Sequence, residues 1–206
     1  MHLHIKTIAA MLAAIAITGT SLSAQTTLVT NYTGSVTSRN QIGEGQACSF
    51  TVGEESATLA GISAFFKISN TSFTASIHRN NAGAIGSTIC TSSISGLTTG
   101  TIDNLNFSNF SGNTELDANT TYWLVITPDD VSTTTSGWFV ANETSTSAFG
   151  WEINNGLKFS SYGSWYNLST SSAAQFSIYA VPEPATYAGL LGMGALGIAL
   201  IRRKRS

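Results

Sequence analysis

Groups that could act as catalytic bases, nucleophiles or metal ligands are few in the central part of the chain and form no recognisable pattern. His78 is the one histidine between residues 25 and 180, and no Gly-x-Ser-x-Gly sequence accompanies it. Ten carboxylates are spread over the same segment, and no spacing singles out a glycosidase-type pair. Asp129 and Asp130 lack the alternating acidic pattern of a calcium loop. We therefore expect no enzyme activity, no cofactor and no metal site.

The two cysteines, Cys48 and Cys90, are the next candidates for chemistry. A lone pair of cysteines in an oxidising compartment usually forms a disulfide. In the chain-entropy model, closing a loop of this length contributes roughly 4 kcal/mol. The alternative is a pair of buried free thiols. We predict the disulfide, on the condition that this part of the chain is exported.

Three tryptophans in the last third of the central segment suggest a binding surface. Trp138, Trp151 and Trp165 are 13 and 14 residues apart, with Tyr162 and Tyr166 nearby. Flat rings on an exposed sheet face can stack on sugar rings, which makes these tryptophans candidate sugar-stacking residues. The alternative is that the rings fill the core, where aromatic side chains bury a large area.

The C-terminal end carries three features in a fixed order. A short proline motif comes first, then an uncharged apolar run over 185–201, then a basic cluster. The motif consists of Pro182, Glu183 and Pro184, and the cluster of Arg202, Arg203, Lys204 and Arg205. As a helix, the apolar run would span roughly 25 Å, at the short end of what crosses a bilayer. The basic cluster predicts a cytoplasmic stop, so the central segment would lie outside the cytoplasm.

This order of features over residues 181–206 resembles the PEP-CTERM sorting signal of exopolysaccharide-producing Gram-negative bacteria. The resemblance implies recognition by exosortase, removal of the tail near the proline motif, and delivery of the body to the cell surface or the medium. The protein would then be a single-pass inner-membrane protein only before processing. The alternative is a permanent membrane anchor behind a proline spacer.

The N-terminal end predicts export independently. Lys6 precedes an apolar run from Ile8 to Ile17, and small residues follow. Ten apolar residues are too few to span a bilayer, so residues 1–24 are interpreted as a signal peptide that signal peptidase removes.

The segment 25–180 that remains is predicted to fold as one β domain. It carries four basic and ten acidic side chains and therefore a net charge of −6, which argues against nucleic acid as a partner. Serine and threonine contribute 49 of its residues, and short apolar or alternating runs are separated by turn-like clusters. Two runs dominate: 122–126 is continuously apolar, and 176–180 alternates. We expect an antiparallel, jelly-roll-like β-sandwich.

Residues 116–126, followed by spaced tryptophans and an apolar strand before the proline motif, resemble the choice-of-anchor R domain. That resemblance implies an extracellular β-rich domain and no particular activity. We therefore expect a non-catalytic structural or adhesive protein of the cell envelope or extracellular matrix. The alternative is a carbohydrate-binding module for exopolysaccharide.

Overall fold

The structure is a computed structural model. It describes residues 25–32, 39–41, 43–130, 136–141, 146–147, 149–169 and 172–181. The predicted signal peptide (1–24) and the predicted transmembrane helix (185–201) lie outside these residues. Across the described ranges, no helix has the length and apolar character needed to cross a membrane.

The described residues form sixteen strands and no helix, because β-branched and aromatic residues alternate with small polar ones along most of the segment. The strands are β1 (Thr26–Thr30), β2 (Arg39–Gln41), β3 (Gly45–Thr51), β4 (Ala57–Lys67), β5 (Phe73–Asn81), β6 (Ala84–Ile94), β7 (Ile102–Ser108), β8 (Ser111–Gly112), β9 (Glu115–Leu116), β10 (Thr121–Pro128), β11 (Gly137–Ala141), β12 (Thr146–Ser147), β13 (Glu152–Ser161), β14 (Ser164–Ser169), β15 (Ala173–Ala174) and β16 (Phe176–Ala180).

These strands pair in two antiparallel sheets. The first sheet runs β12-β1-β16-β4-β11-β15, with β2, β7 and β9 paired at its margins. The second sheet runs β14-β13-β3-β10-β5-β6-β8. Aromatic contacts join the two, such as Phe50 with Phe176 and Phe66 with Phe73, so one shared core lies between them. The predicted all-β antiparallel sandwich is confirmed, and the jelly-roll-like topology stays a prediction.

Strand β10 is buried on both faces, as its continuous apolar sequence predicts. Tyr122, Leu124 and Ile126 point into the shared core. Trp123 and Val125 point the other way and form a small cluster with Ala47 on the outer face of the second sheet. The continuous run therefore reflects two separate apolar clusters, one on each side of the strand.

A hydrogen-bonded corner precedes β10 and fixes where it starts. The Tyr122 hydroxyl accepts from the backbone N–H of Asp117 at 3.0 Å and donates to that residue's carboxylate at 3.1 Å. Arg79 lies 3.7 Å from the same carboxylate. Burial raises the pKa of the Tyr122 hydroxyl, which keeps the proton that it donates. The corner thus ties the loop after β9 to the buried strand that follows.

Strand β16 completes the first sheet. It lies between β1 and β4 and pairs with both, and Phe176 and Ile178 are buried in the core. Ser177 on its other face is also buried and bonds to Thr30 through their hydroxyls at 2.7 Å. The last strand is therefore an interior strand of its sheet, and on its outer face Ser177 is buried while Tyr179 is partly exposed.

The two ends of the sandwich carry different features. At one end, which we call the exit end because Val181 leaves the sandwich there, Thr26 pairs with Ala180. The N–H of Val181 donates to the Thr58 carbonyl at 3.0 Å. Strand β9 pairs beside Thr58 and leads to β10, which starts at this end and runs to the opposite one. There, at the far end, Glu44 lies against the turn between β13 and β14. Both ends of the described body therefore leave the sandwich from the same side.

Candidate functional site

The sorting residues follow directly after an ordered strand. Val181 is exposed, and its backbone is the last part of the chain that the structure describes. Pro182, Glu183 and Pro184, and the basic cluster of Arg202, Arg203, Lys204 and Arg205, lie outside the described residues. What the structure contributes is the attachment point, which is the end of an interior strand at the exit end.

The predicted Cys48–Cys90 disulfide is wrong. Both cysteines are free and buried on the inner face of the second sheet. They share one row across four strands, in which Cys48 pairs with Leu124, Leu124 with Ile77, and Ile77 with Cys90. Three interstrand steps make about 14 Å, roughly twice the longest Cα separation that a disulfide spans. The alternative of two buried thiols therefore applies.

We expect thiol labelling to show this directly. In the folded protein neither thiol should react, because both side chains are buried. After unfolding in urea without reductant, both cysteines should take up the label. Prior treatment with reductant should leave the count unchanged, whereas a count that rises with reductant would contradict the assignment.

The buried thiols also make the fold sensitive to alkali. Burial raises the pKa of Cys48 to about 12 and that of Cys90 to about 11, from 9.0. The folded state holds the two thiol protons more tightly than the unfolded state does. The thiols' contribution to the free energy of unfolding is therefore fully present below pH 9 and falls as the pH rises toward the raised pKa values. The variant Cys48→Ala should lose less unfolding free energy than the wild type between pH 8 and about pH 10.5 in urea titrations. Equal slopes in both proteins would contradict this origin.

The predicted sugar-stacking role is corrected for two of the three tryptophans. Trp138 is fully buried, lies 5.4 Å from Phe66 in a stacked arrangement, and donates its indole N–H to the Gln175 carbonyl at 2.9 Å. Trp151 is buried and lies nearly parallel to Phe50 at 6.2 Å. Because protein covers the faces of both rings, neither can stack on a sugar.

Trp165 is different, because it lies on the outer face of the second sheet and is half-buried. Its ring packs against the small cluster of Ala47, Trp123 and Val125 and extends over Gly45. A methyl group at Gly45 would lie 3.5 Å from the ring. That distance is an ordinary contact, whereas the same methyl group would lie only 2.9 Å from the Thr127 methyl group, so the missing side chain at position 45 chiefly makes room for Thr127.

A lysine covers Trp123 on the same outer face. The Lys158 ammonium lies 4.9 Å from the centre of the Trp123 ring and donates to the Gly83 carbonyl at 2.7 Å. The Trp123 indole N–H donates to the Asn80 side-chain oxygen at 3.0 Å. These contacts hold the β5–β6 turn over the sheet, so Trp123 is covered while Trp165 keeps exposed surface.

Glu44 fixes the turn that presents Trp165. Its carboxylate accepts the backbone N–H groups of Tyr162 and Gly163, at 2.8 and 3.1 Å, and the Ser160 hydroxyl at 3.2 Å. Sequence reasoning missed this role, because only Gly163 fits the residue types that mark a two-residue hairpin turn, and Tyr162 does not. The hydrogen bonds from Gly163 and Tyr162 lower the pKa of Glu44.

We expect the stability of this turn to depend on the ionisation of the Glu44 carboxylate. A group with a lowered pKa contributes stability that is present above its unfolded value and is lost as pH falls through the folded value. The variant Glu44→Gln should therefore lose less thermal stability than the wild type between pH 7 and pH 3. Glu54→Gln, at an exposed position of the exit end, is the control and should keep the wild-type pH dependence. If Glu44→Gln and the wild type lose stability in parallel, Glu44 does not couple the turn to pH.

His78 lies in the β5–β6 hairpin and bonds within it. The ring of His78 bonds to the Ser76 hydroxyl at 2.9 Å and to the Gly86 carbonyl at 3.0 Å, which braces the β5–β6 hairpin. No group of three or more potential metal ligands occurs among the described residues. Of the predicted site residues, the structure thus leaves Trp165 at the surface and moves Cys48, Cys90, Trp138 and Trp151 into the core.

Comparison with known proteins adds information at the C-terminal end. No curated protein matches the chain. Residues 180–205 match the PEP-CTERM protein-sorting motif, and the match begins at the last residue of β16. The expectation raised by the proline motif and the basic cluster is confirmed at that level. The motif indicates an exported protein that is processed by exosortase, and it implies a location at the cell surface or in the surrounding medium.

Proposed function

We propose that the body acts as a non-catalytic structural or adhesive component of the cell envelope or extracellular matrix. The observation that carries this proposal is the position of the chain ends. The N-terminal and C-terminal strands are paired at the exit end, and the sorting motif starts there. A body held at that end presents its far end and both sheet faces outward, as a display or adhesive domain requires.

Charge and side-chain chemistry fit the same role. The body has a net charge of −6 and few lysines, so an anionic lipid surface would repel it. The buried groups with raised pKa values are two core thiols and a corner tyrosine, each with a structural place. Their arrangement supports a structural domain better than a reactive site.

The test combines processing with phenotype. In the producing bacterium, the wild-type body should appear in the matrix fraction without residues 185–206 by intact mass, and a deletion strain should form a less cohesive matrix. Replacing Pro182, Glu183 and Pro184 by alanine should leave the full-length chain in the membrane fraction. Three alanines at the exposed exit-end loop Glu54-Glu55-Ser56 serve as the control and should process normally. A mature mass that includes the tail, or unchanged matrix cohesion on deletion, would contradict the proposal.

Carbohydrate binding is the second candidate, and the half-exposed ring of Trp165 favours it. Two partly exposed polar side chains of the same outer face, Thr74 and Thr127, could bond to sugar hydroxyls. Trp165→Ala should then abolish retention on an exopolysaccharide affinity gel. Phe149→Ala, at an exposed aromatic of the exit end, should leave retention unchanged. Release of reducing sugar from matrix by the purified protein would instead indicate an enzyme.

We also propose that the body is a choice-of-anchor R-like domain. The support comes from residues 116–126, whose side chains build the Asp117–Tyr122 corner and the doubly buried β10. Replacing Tyr122 with phenylalanine would remove the corner in this chain, and the equivalent replacement in another chain of that family should do the same. A solved member in which the equivalent segment forms no such corner would contradict the assignment.

A further inference from the structure

We propose that strand β14 is a self-association edge, at which a second copy of this chain adds its own β14 in antiparallel orientation. This inference rests on the proposed structural role and names its partner and its surface. Strand β14 is the last strand of the second sheet, and among the described strands it pairs with β13 alone. Its outer row of backbone N–H and C=O groups is therefore free, within the part of the chain described, to pair with another strand.

The edge lacks most of the devices that normally prevent such pairing. Proteins protect sheet edges with charged residues, prolines, β-bulges or very short strands. Strand β14 has six residues, Ser164 to Ser169, none of which is charged or proline, and it follows β13 regularly up to Asn167 before a bulge. At the opposite edge of the same sheet, β6 is covered by β8, and the N–H of Asn113 donates to Ile89 there. The β6 edge is thus partly covered, whereas no described strand covers the β14 edge.

A second copy is the occupant because antiparallel pairing of two identical edge strands is two-fold symmetric, so that each copy fills the free row of the other. Two bodies that each carry a net charge of −6 repel one another, except through a surface without charge. Strand β14 offers such a surface, and Tyr166 and Leu168 are 49% and 39% exposed on it. Tyr166 also stacks on Phe159 at 5.4 Å, so the ring is held in place before any contact forms. A polysaccharide would not need the free row of backbone groups, whereas a strand uses it fully.

The turn beside β14 leaves the edge accessible. Tyr162 is 96% exposed and has a φ of 51°, a left-handed conformation that favours glycine or asparagine. The fold keeps an aromatic ring at this unfavourable position, and Glu44 bonds to the backbone of the turn. The turn lies at the far end, away from the place where the chain leaves the body, so a membrane tether would not block approach of a second copy.

The test is sedimentation of the mature protein over the widest concentration range that its solubility allows. The wild type should shift from monomer to dimer as its concentration rises, and the interface is expected to be weak because it is small. Tyr166→Lys should abolish the dimer. Ile102→Lys is the matched control, since Ile102 is also 49% exposed on an edge strand, β7, and it should dimerise as the wild type does.

A second variant guards against loss of folding in Tyr166→Lys. Asn167→Glu places an acid directly opposite Lys158, a favourable cross-strand neighbour, while adding charge to the free edge. It should melt as the wild type does and sediment as a monomer. Amide exchange at 164–167 should slow with increasing wild-type concentration.

Each outcome tests whether two copies associate through strand β14. A wild type that stays monomeric at every concentration, or a dimer that survives both charged variants, would overturn the inference. Association that appears only with added exopolysaccharide would also overturn it, in favour of sugar binding. A monomeric wild type together with a weakened matrix in the deletion strain would refute the edge and leave the proposed structural function standing.

Discussion

Replacing Trp138 with alanine should lower the free energy of unfolding by about 3–5 kcal/mol. The side chain is fully buried and packs on Phe66 and Phe176, so its removal leaves a large cavity between the sheets. It also leaves the Gln175 carbonyl without the indole donor that it has now. The loss should appear as a lower urea midpoint with an unchanged slope.

Trp165→Ala is the matched comparison, because the same residue type is removed from the outer face. Its ring is only half-buried and packs on a small cluster, so we expect a loss of about 1–2 kcal/mol. Equal losses for the two variants would contradict the placement of one ring in the core and the other at the surface.

Stopping the chain before β16 should abolish cooperative folding, whereas stopping it after Val181 should not. The two buried side chains Phe176 and Ile178 are worth about 3–6 kcal/mol of apolar burial together, a large part of the 5–15 kcal/mol that holds a typical domain. Their strand also pairs with β1 and β4 on either side. Without it, both neighbours would expose new edges.

The measurement is exported yield and circular dichroism of chains that end at Gln175 or at Val181. The shorter chain should be degraded or lack a cooperative thermal transition, and the longer one should melt as the processed wild type does. A folded chain ending at Gln175 would show that β16 is dispensable. The result also bears on processing, since any cut upstream of β16 would destroy the body.

Sequence patterns predicted the sheet class and β10 because local composition determines both. A run such as 122–126 has apolar side chains on both faces of a strand, and the fold provides an apolar cluster for each face. The sorting motif was also recognisable, because its order along the chain is its signal. The covering of Trp165 by sheet contacts at Gly45 was not visible, since it joins residues from strands far apart in sequence.

The cysteine and tryptophan predictions failed for a related reason. Spacing along the chain does not say how many strands separate two residues within a sheet, and two strands lie between Cys48 and Cys90. Trp138 and Trp151 have glycine or serine neighbours, so the sequence around them shows no apolar–polar alternation. Which face of the strand points into the core could therefore not be predicted there. Only the register of each strand determines whether its ring lies in the core or at the surface.

The position of β16 has a mechanical consequence. Anything that holds the protein by its C-terminal end pulls along the axis of a strand that is hydrogen-bonded on both sides. Drag applied at the far end would load both ladders in shear, so that many bonds must rupture together, whereas a strand at a sheet margin could be peeled off one bond at a time. The topology therefore suits a body that must stay folded under tension in flowing liquid.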